Sequence, residues 1–127
     1  MTMRPIALVV DDSRTIRRVA VDILLGLGFT VGEAEHGRAA VEFCNRTSPD
    51  FVLLDWNMPK MDGLSCLRAL RAMTLVPRPI VVMCTTENSM SKIHEALEAG
   101  ADEYIMKPYD RELLLAKLEQ LGLMEAA

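Results

Sequence analysis

Three short runs in this chain are apolar almost throughout: Ile6-Ala7-Leu8-Val9-Val10, Phe51-Val52-Leu53-Leu54 and Pro79-Ile80-Val81-Val82-Met83-Cys84. A strand with one wet face alternates apolar and polar residues. Unbroken apolar runs belong to strands covered on both faces, as in a parallel sheet. Phe29-Thr30-Val31-Gly32-Glu33 and Glu103-Tyr104-Ile105-Met106 complete a set of five strand candidates.

Helical patterns fill the gaps between them. Ile16, Val19, Ala20, Ile23, Leu24 and Leu27 recur at three- and four-residue steps, one apolar stripe facing a core. Asp12 or Ser13 fits the cap at its start, and Gly26 or Gly28 its end. Further helices fit residues 38–46, 63–72, 88–98 and 110–121, the last two closed by Gly100 and Gly122. Met90, Ile93 and Leu97 form the stripe of the fourth helix and are expected in the core. Five strands alternating with five helices predict an α/β, doubly wound (βα)5 domain over residues 1–127. Right-handed crossovers put helices on both faces of the sheet. In the flavodoxin-like strand order 2-1-3-4-5, a ligand sits beyond the carboxyl ends of the strands, where the order reverses.

Composition removes several function classes. The net charge is −4, which argues against a nucleic-acid face without a local basic patch. Arg14, Arg17 and Arg18 are the only tight basic group; a solvated helix face is the commoner reading and an acidic partner the rarer one. No apolar run approaches membrane-spanning length, and the N-terminus lacks a signal-peptide pattern, so no membrane association and a cytoplasmic location are expected. Cys44, Cys66 and Cys84 are odd in number and far apart, which fits reduced, buried thiols. His94 has no second His or Cys at metal spacing and is expected at the surface.

The polar residues at the strand ends carry the chemistry. Asp11 and Asp12 follow the first strand, Asp55 the third, Thr85 and Thr86 the fourth, and Lys107 the fifth. In a parallel sheet these ends share one edge, and in the order above Asp11, Asp12 and Asp55 converge. Three clustered carboxylates repel and do not stay ionised unaided. A hard divalent cation such as Mg²⁺ (or Mn²⁺) resolves this with oxygen ligands. Lys107 adds a point charge and Thr85 a hydroxyl donor, a set suited to a phosphoryl group. One of the carboxylates is then a candidate nucleophile. Singly, each residue has a plainer reading: a helix cap, a strand-end hydrogen bond, a turn, a solvated acid. The joint placement on the correct strand ends favours the site.

At these positions the chain resembles the receiver domains of bacterial response regulators. The likeness spans residues 5–122. It rests on Asp11-Asp12, on Asp55 followed by Met58-Pro59-x-Met61-Asp62-Gly63, and on Thr85, Gly100-Ala101, Tyr104 and Lys107-Pro108. Asp55-Trp56-Asn57-Met58-Pro59 is similar to chemotaxis-type members, as is Asp11-Asp12-Ser13 leading into Ile16-Arg17-Arg18. The resemblance implies that Asp55 accepts phosphate from a histidine kinase or histidine phosphotransfer protein. It implies Mg²⁺ held by Asp12, Asp55 and the Asn57 backbone carbonyl, with Asp11 acting directly or through water. Lys107 contacts the phosphoryl group, and the Lys107–Pro108 bond is cis. Thr85 and Tyr104 form the switch, which alters the face made by the fourth helix, fifth strand and fifth helix for an unidentified downstream protein. The plainer reading of Tyr104 is a half-buried strand aromatic beside the last helix. Asn57 and Glu87 flank the acceptor and are expected to tune a phosphoryl lifetime of seconds to minutes.

The chain departs from the enteric chemotaxis pattern at Ser89-Met90, where two lysines are usual, and at Thr86, which is bulkier than the common small residue. Because the chain stops soon after the last helix, output is expected to pass through another protein. The expectation is a stand-alone regulator of chemotaxis type, not an enzyme beyond its own phosphorylation and dephosphorylation. Alternatives are a receiver-like scaffold, or a phosphorelay intermediate controlling a kinase rather than a motor. An aspartate-nucleophile phosphatase is disfavoured by Asn57, which stands where such enzymes carry a second acid. A flavin or nucleotide binder is disfavoured by the lack of a glycine-rich loop after the first strand.

Overall fold

The computed structural model describes residues 5–58, 61–86 and 90–124. Five strands run β1 Ile6–Val10, β2 Thr30–Ala34, β3 Phe51–Asp55, β4 Ile80–Thr85 and β5 Glu103–Met106. They alternate with α1 Arg14–Gly26, α2 Gly37–Arg46, α3 Gly63–Ala72, α4 Met90–Glu98 and α5 Arg111–Gln120. All four strand pairings are parallel and the order is β2-β1-β3-β4-β5, the flavodoxin-like arrangement expected. Strand bounds differ from the sequence reading by one residue at β2 and β4. β3 extends to take in Asp55, and the predicted first two residues of α4, Asn88 and Ser89, lie outside the described residues.

Side chains alternate across a strand, so each central strand feeds two cores. Leu8, Val10, Val52, Leu54, Val81 and Met83 pack on one face against Cys44 of α2, Leu67 and Leu70 of α3 and Ala96 of α4. Ala7, Val9, Phe51, Leu53, Val82 and Cys84 pack on the other against Ala20 and Leu24 of α1 and Leu114 and Leu118 of α5. Burial of each Val, Leu, Met or Phe among them contributes about 1.5–3 kcal/mol. The helix starts are capped as polar residues dictate. Ser13 Oγ, His36 Nδ1, Asp62 Oδ1 and Asp110 Oδ1 each accept from a backbone N–H three residues on. Ser13, not Asp12, therefore caps α1.

Two apolar stripes were too generous. In α1, Ala20, Val21 and Leu24 are buried, whereas Ile16 and Val19 are 42% and 52% exposed. In α4, Ile93 and Ala96 are buried, whereas Met90 and Leu97 are 74% and 42% exposed. The sheet covers only a narrow arc of each helix, so the flanks of the stripe stay at the surface.

Arg71 fastens the far end of the fold. Its guanidinium donates to the carbonyls of Pro79 and Gly100 and to Asp102 Oδ2, at 2.7, 2.9 and 2.9 Å. Gly100 has φ +114°, and a side chain there would run into Arg71. On the edge strand β5, Glu103 Oε1 accepts from the Tyr104 N–H at 3.0 Å, and Glu103 Oε2 from Gln120 Nε2 at 3.1 Å. Lys107–Pro108 is a cis peptide bond, as is Val76–Pro77, which nothing in the sequence singled out.

Candidate functional site

The site lies past the carboxyl ends of β1, β3, β4 and β5. Asp11 follows β1, its N–H donating to the Ala34 carbonyl at 3.1 Å. Asp55 is the last residue of β3, paired in register with Cys84 of β4. The Lys107 N–H donates to the Thr85 carbonyl at 2.8 Å, which ties the end of β5 to β4. The strands thus deliver Asp11, Asp55, Thr85 and Lys107 to one edge on rigid backbone.

Asp11, Asp12 and Asp55 each present a carboxylate oxygen within 4.8 Å of the others. Asp11 and Asp55 are buried, as is Thr85, while Asp12 is exposed. Lys107 Nζ donates to Asp11 Oδ2 at 2.8 Å and to Asp55 Oδ1 at 2.9 Å. Asp11 Oδ1 accepts from the Ser13 N–H at 2.9 Å. Burial pushes the Asp55 carboxyl above its ordinary value; the Lys107 bond opposes this, and Asp11 and Asp12 reinforce it. Burial also works against charge on Lys107, but its bonds to Asp11 and Asp55 outweigh that and hold the ammonium more firmly than usual.

The chain holds Asp55 against an obstacle that only glycine permits. A Cβ at Gly63 would collide with the Asp55 carbonyl and come within 2.8 Å of Trp56 Cα. Gly63 N–H also donates to the Trp56 carbonyl at 2.8 Å. Trp56 is half-buried and Asn57 exposed beside Asp55. Pro59 and Glu87 lie outside the described residues. Tyr104 is half-buried on β5, with Lys117 Nζ 5.2 Å from its ring centre.

The three cysteines are buried and unpaired. Burial pushes the Cys44 thiol up to about 11 and Cys66 to about 12, and raises Cys84 further. His94 is at the surface, 2.9 Å from Glu98.

Two features escaped the sequence. Arg17 is not on a solvated face: its side chain is 13% exposed, and it donates to the Asp11 carbonyl at 2.7 Å and to Glu33 at 2.9 Å. Arg14 and Arg18 are exposed as expected. Beside Lys107, the exposed Ile16 and Val19 line an apolar hollow of about 390 Å³ with Pro108 and Tyr109. Burial raises the Tyr109 hydroxyl well above its ordinary value.

The residue set fits a divalent cation by its chemistry. Three carboxylates cluster with one ammonium, which bonds two of them, and this leaves excess negative charge on hard oxygen donors.

The sequence pattern of the response regulator receiver domain matches residues 7–119. The chemotaxis protein CheY of Pseudomonas aeruginosa is 39% identical over 115 residues, spanning 90% of this chain and 93% of that protein. Vibrio cholerae CheY4 superposes with a TM-score of 0.88 at 32% identity, covering 93% of this chain and 98% of that one. The receiver domain of a Pseudomonas aeruginosa sensor histidine kinase, solved with a magnesium ion coordinated in its active-site cleft, gives a TM-score of 0.84 at 28% identity, covering 93% and 97%.

Proposed function

We propose that this chain, which belongs to the response regulator receiver domain family, is a phosphoryl-accepting signalling switch with Asp55 as acceptor. The carrying observation is the cluster of Asp11, Asp12 and Asp55 within 4.8 Å, with Lys107 bonded to two of its members. Residues 1–127 form one receiver domain in this reading.

An Asp55 carboxylate oxygen attacks the phosphorus of a phosphohistidine on a kinase or phosphotransfer protein. The O–P bond forms, the P–N bond breaks, and the imidazole leaves. Lys107 lies where it can contact the phosphoryl oxygens, and burial of Asp55 keeps bulk water from the acyl phosphate. Mg²⁺ (or Mn²⁺) would be held by Asp12, Asp55 and the Asn57 carbonyl, with Asp11 directly or through water. It would supply charge neutralisation for the transferred oxygens. Water later attacks the phosphorus, returning the carboxylate and inorganic phosphate, with Asn57 and Glu87 setting a lifetime of seconds to minutes.

The Thr85 hydroxyl bonds the phosphoryl group and Tyr104 follows inward. The phosphoryl group stabilises one of two states and so shifts their populations. The readout is the α4–β5–α5 face, where Met90 and Leu97 are exposed. A downstream protein binds there, in a cytoplasmic chemotaxis or motility pathway, without nucleic acid or membrane. Ser89-Met90 replaces the lysine pair of enteric members, and the exposed Met90 favours a partner with an apolar contact. A kinase-controlling phosphorelay role is therefore kept as the second reading.

The test uses Trp56, the only tryptophan. Its fluorescence is followed during addition of Mg²⁺ and then acetyl phosphate, with Asp55→Asn as control and mass spectrometry for the phosphoryl adduct. Two successive responses are expected, the second reversible and absent from Asp55→Asn. No response and no adduct would make this chain a receiver-shaped scaffold.

A further inference from the structure

The reaction outlined above leaves the arginines of α1 without a task, and Arg17 is unlike the other two. Its guanidinium is withdrawn from water to bond a single backbone carbonyl, that of Asp11, at 2.7 Å. Glu33 Oε1, on β2, accepts from its Nε at 2.9 Å and fixes the orientation of the planar group.

The bonded carbonyl belongs to the peptide that joins Asp11 to Asp12. A peptide unit is planar, so holding its oxygen also fixes the N–H and Cα of Asp12. Asp11 has other anchors: its N–H on Ala34, Oδ1 on Ser13 and Oδ2 on Lys107. Asp12 has none of these. It is exposed, and among the described residues nothing bonds its carboxylate, so the backbone beneath it sets the Cα–Cβ direction from which the carboxylate reaches the cluster.

We propose that Arg17 is a positioning residue for divalent-cation binding: it fixes the Asp11–Asp12 peptide and so aims the Asp12 carboxylate into the acid cluster, with Glu33 steadying the guanidinium. This rests on the metal site of the proposed function. Charge and positioning act on Mg²⁺ affinity in opposite directions here. By charge alone, removing a cation beside three carboxylates tightens Mg²⁺ binding. Loss of positioning weakens it, by about tenfold for a group that orients a metal ligand.

The experiment is a Mg²⁺ titration of the full chain, read by Trp56 fluorescence at fixed ionic strength, with thermal melts alongside. Arg17→Met is expected to raise the Mg²⁺ Kd about tenfold. Arg17→Lys keeps the charge but not the two-pronged geometry, and is expected to fall between Arg17→Met and wild type. In an Asp12→Asn background, Arg17→Met should add no further loss, because it acts through Asp12. Mg²⁺ binding as tight as wild type or tighter in both Arg17 variants overturns the proposal, as does a full additional loss in the Asp12→Asn background. If Arg17→Met does not fold, Arg17→Lys and its Asp12→Asn double variant carry the same test. A wild-type chain that ignores Mg²⁺ removes the metal site and this role together. A wild-type chain that binds, with indifferent Arg17 variants, removes only this role.

Discussion

Lys107 Nζ lies 2.9 Å from Asp55 Oδ1, and the two side chains are only 12% and 7% exposed. The same ammonium reaches Asp11 Oδ2 at 2.8 Å. One cation therefore serves two buried carboxylates, and the third acid of the cluster goes without it.

Lys107→Met is expected to destabilise the metal-free protein at pH 7 by about 1–3 kcal/mol, the cost of leaving buried charged acceptors unsatisfied. The deficit shrinks toward pH 4, where the orphaned Asp55 carboxyl, already raised by burial, takes up a proton, and Mg²⁺ restores much of it. Denaturant melts at both pH values check this. Equal stability of variant and wild type at pH 7 would show that the pair contributes nothing.

Asp55→Asn should act in the opposite direction. The folded-state pKa of Asp55 is raised, chiefly by burial. Ionising it in the folded protein therefore costs stability. The cost is absent below the unfolded value of about 4, grows as pH rises from there to the folded value, and is complete above that. Without Mg²⁺, Asp55→Asn is expected to be more stable than wild type at pH 7, with the gain vanishing near about pH 4. The same melts across pH 4–8 measure it. A gain that does not depend on pH would assign it to packing instead.

Gly63→Ala is expected to cost about 1–3 kcal/mol, because the new Cβ meets backbone, which cannot swing aside. The displaced atoms belong to Asp55 and Trp56, so the Trp56 emission of the folded variant should shift as well. Chemical denaturation and an emission spectrum suffice, and a variant unchanged in both would refute the close approach.

Cys44, Cys66 and Cys84 should be silent toward Ellman's reagent at pH 7.5 for as long as the protein stays folded. Burial pushes their thiols up, Cys44 to about 11 and Cys66 to about 12, so almost no thiolate is present. All three label in urea. Rapid labelling of one thiol under native conditions would contradict this placement.

The strands were legible because a buried parallel strand leaves little freedom in its composition. Placing Asp11, Asp55, Thr85 and Lys107 on one edge then followed from counting to the end of each run. The helices were less legible. Ile16 and Val19 satisfy a helical stripe as well as Ala20 and Leu24 do, and only the width of the sheet decides which of them is covered. Arg17 was invisible for a related reason. Arg14, Arg17 and Arg18 are chemically equal in a linear reading, and what distinguishes Arg17 is Glu33, sixteen residues away on another element. The cis bond at Val76–Pro77 had no local mark at all.

The bond from the Tyr104 N–H to the Glu103 carboxylate has a consequence for assembly. β5 is an outer strand, and an outer strand normally offers its free N–H groups to any extended segment that passes. Here the strand's own side chain occupies one of those donors, and Gln120 and Lys117 from α5 hold that side chain in place. A strand that has answered its own donor is a poor template for another chain. With one donor fewer at this margin, adding a sixth strand is less favourable, and side-chain contacts weigh correspondingly more in any recognition of this face.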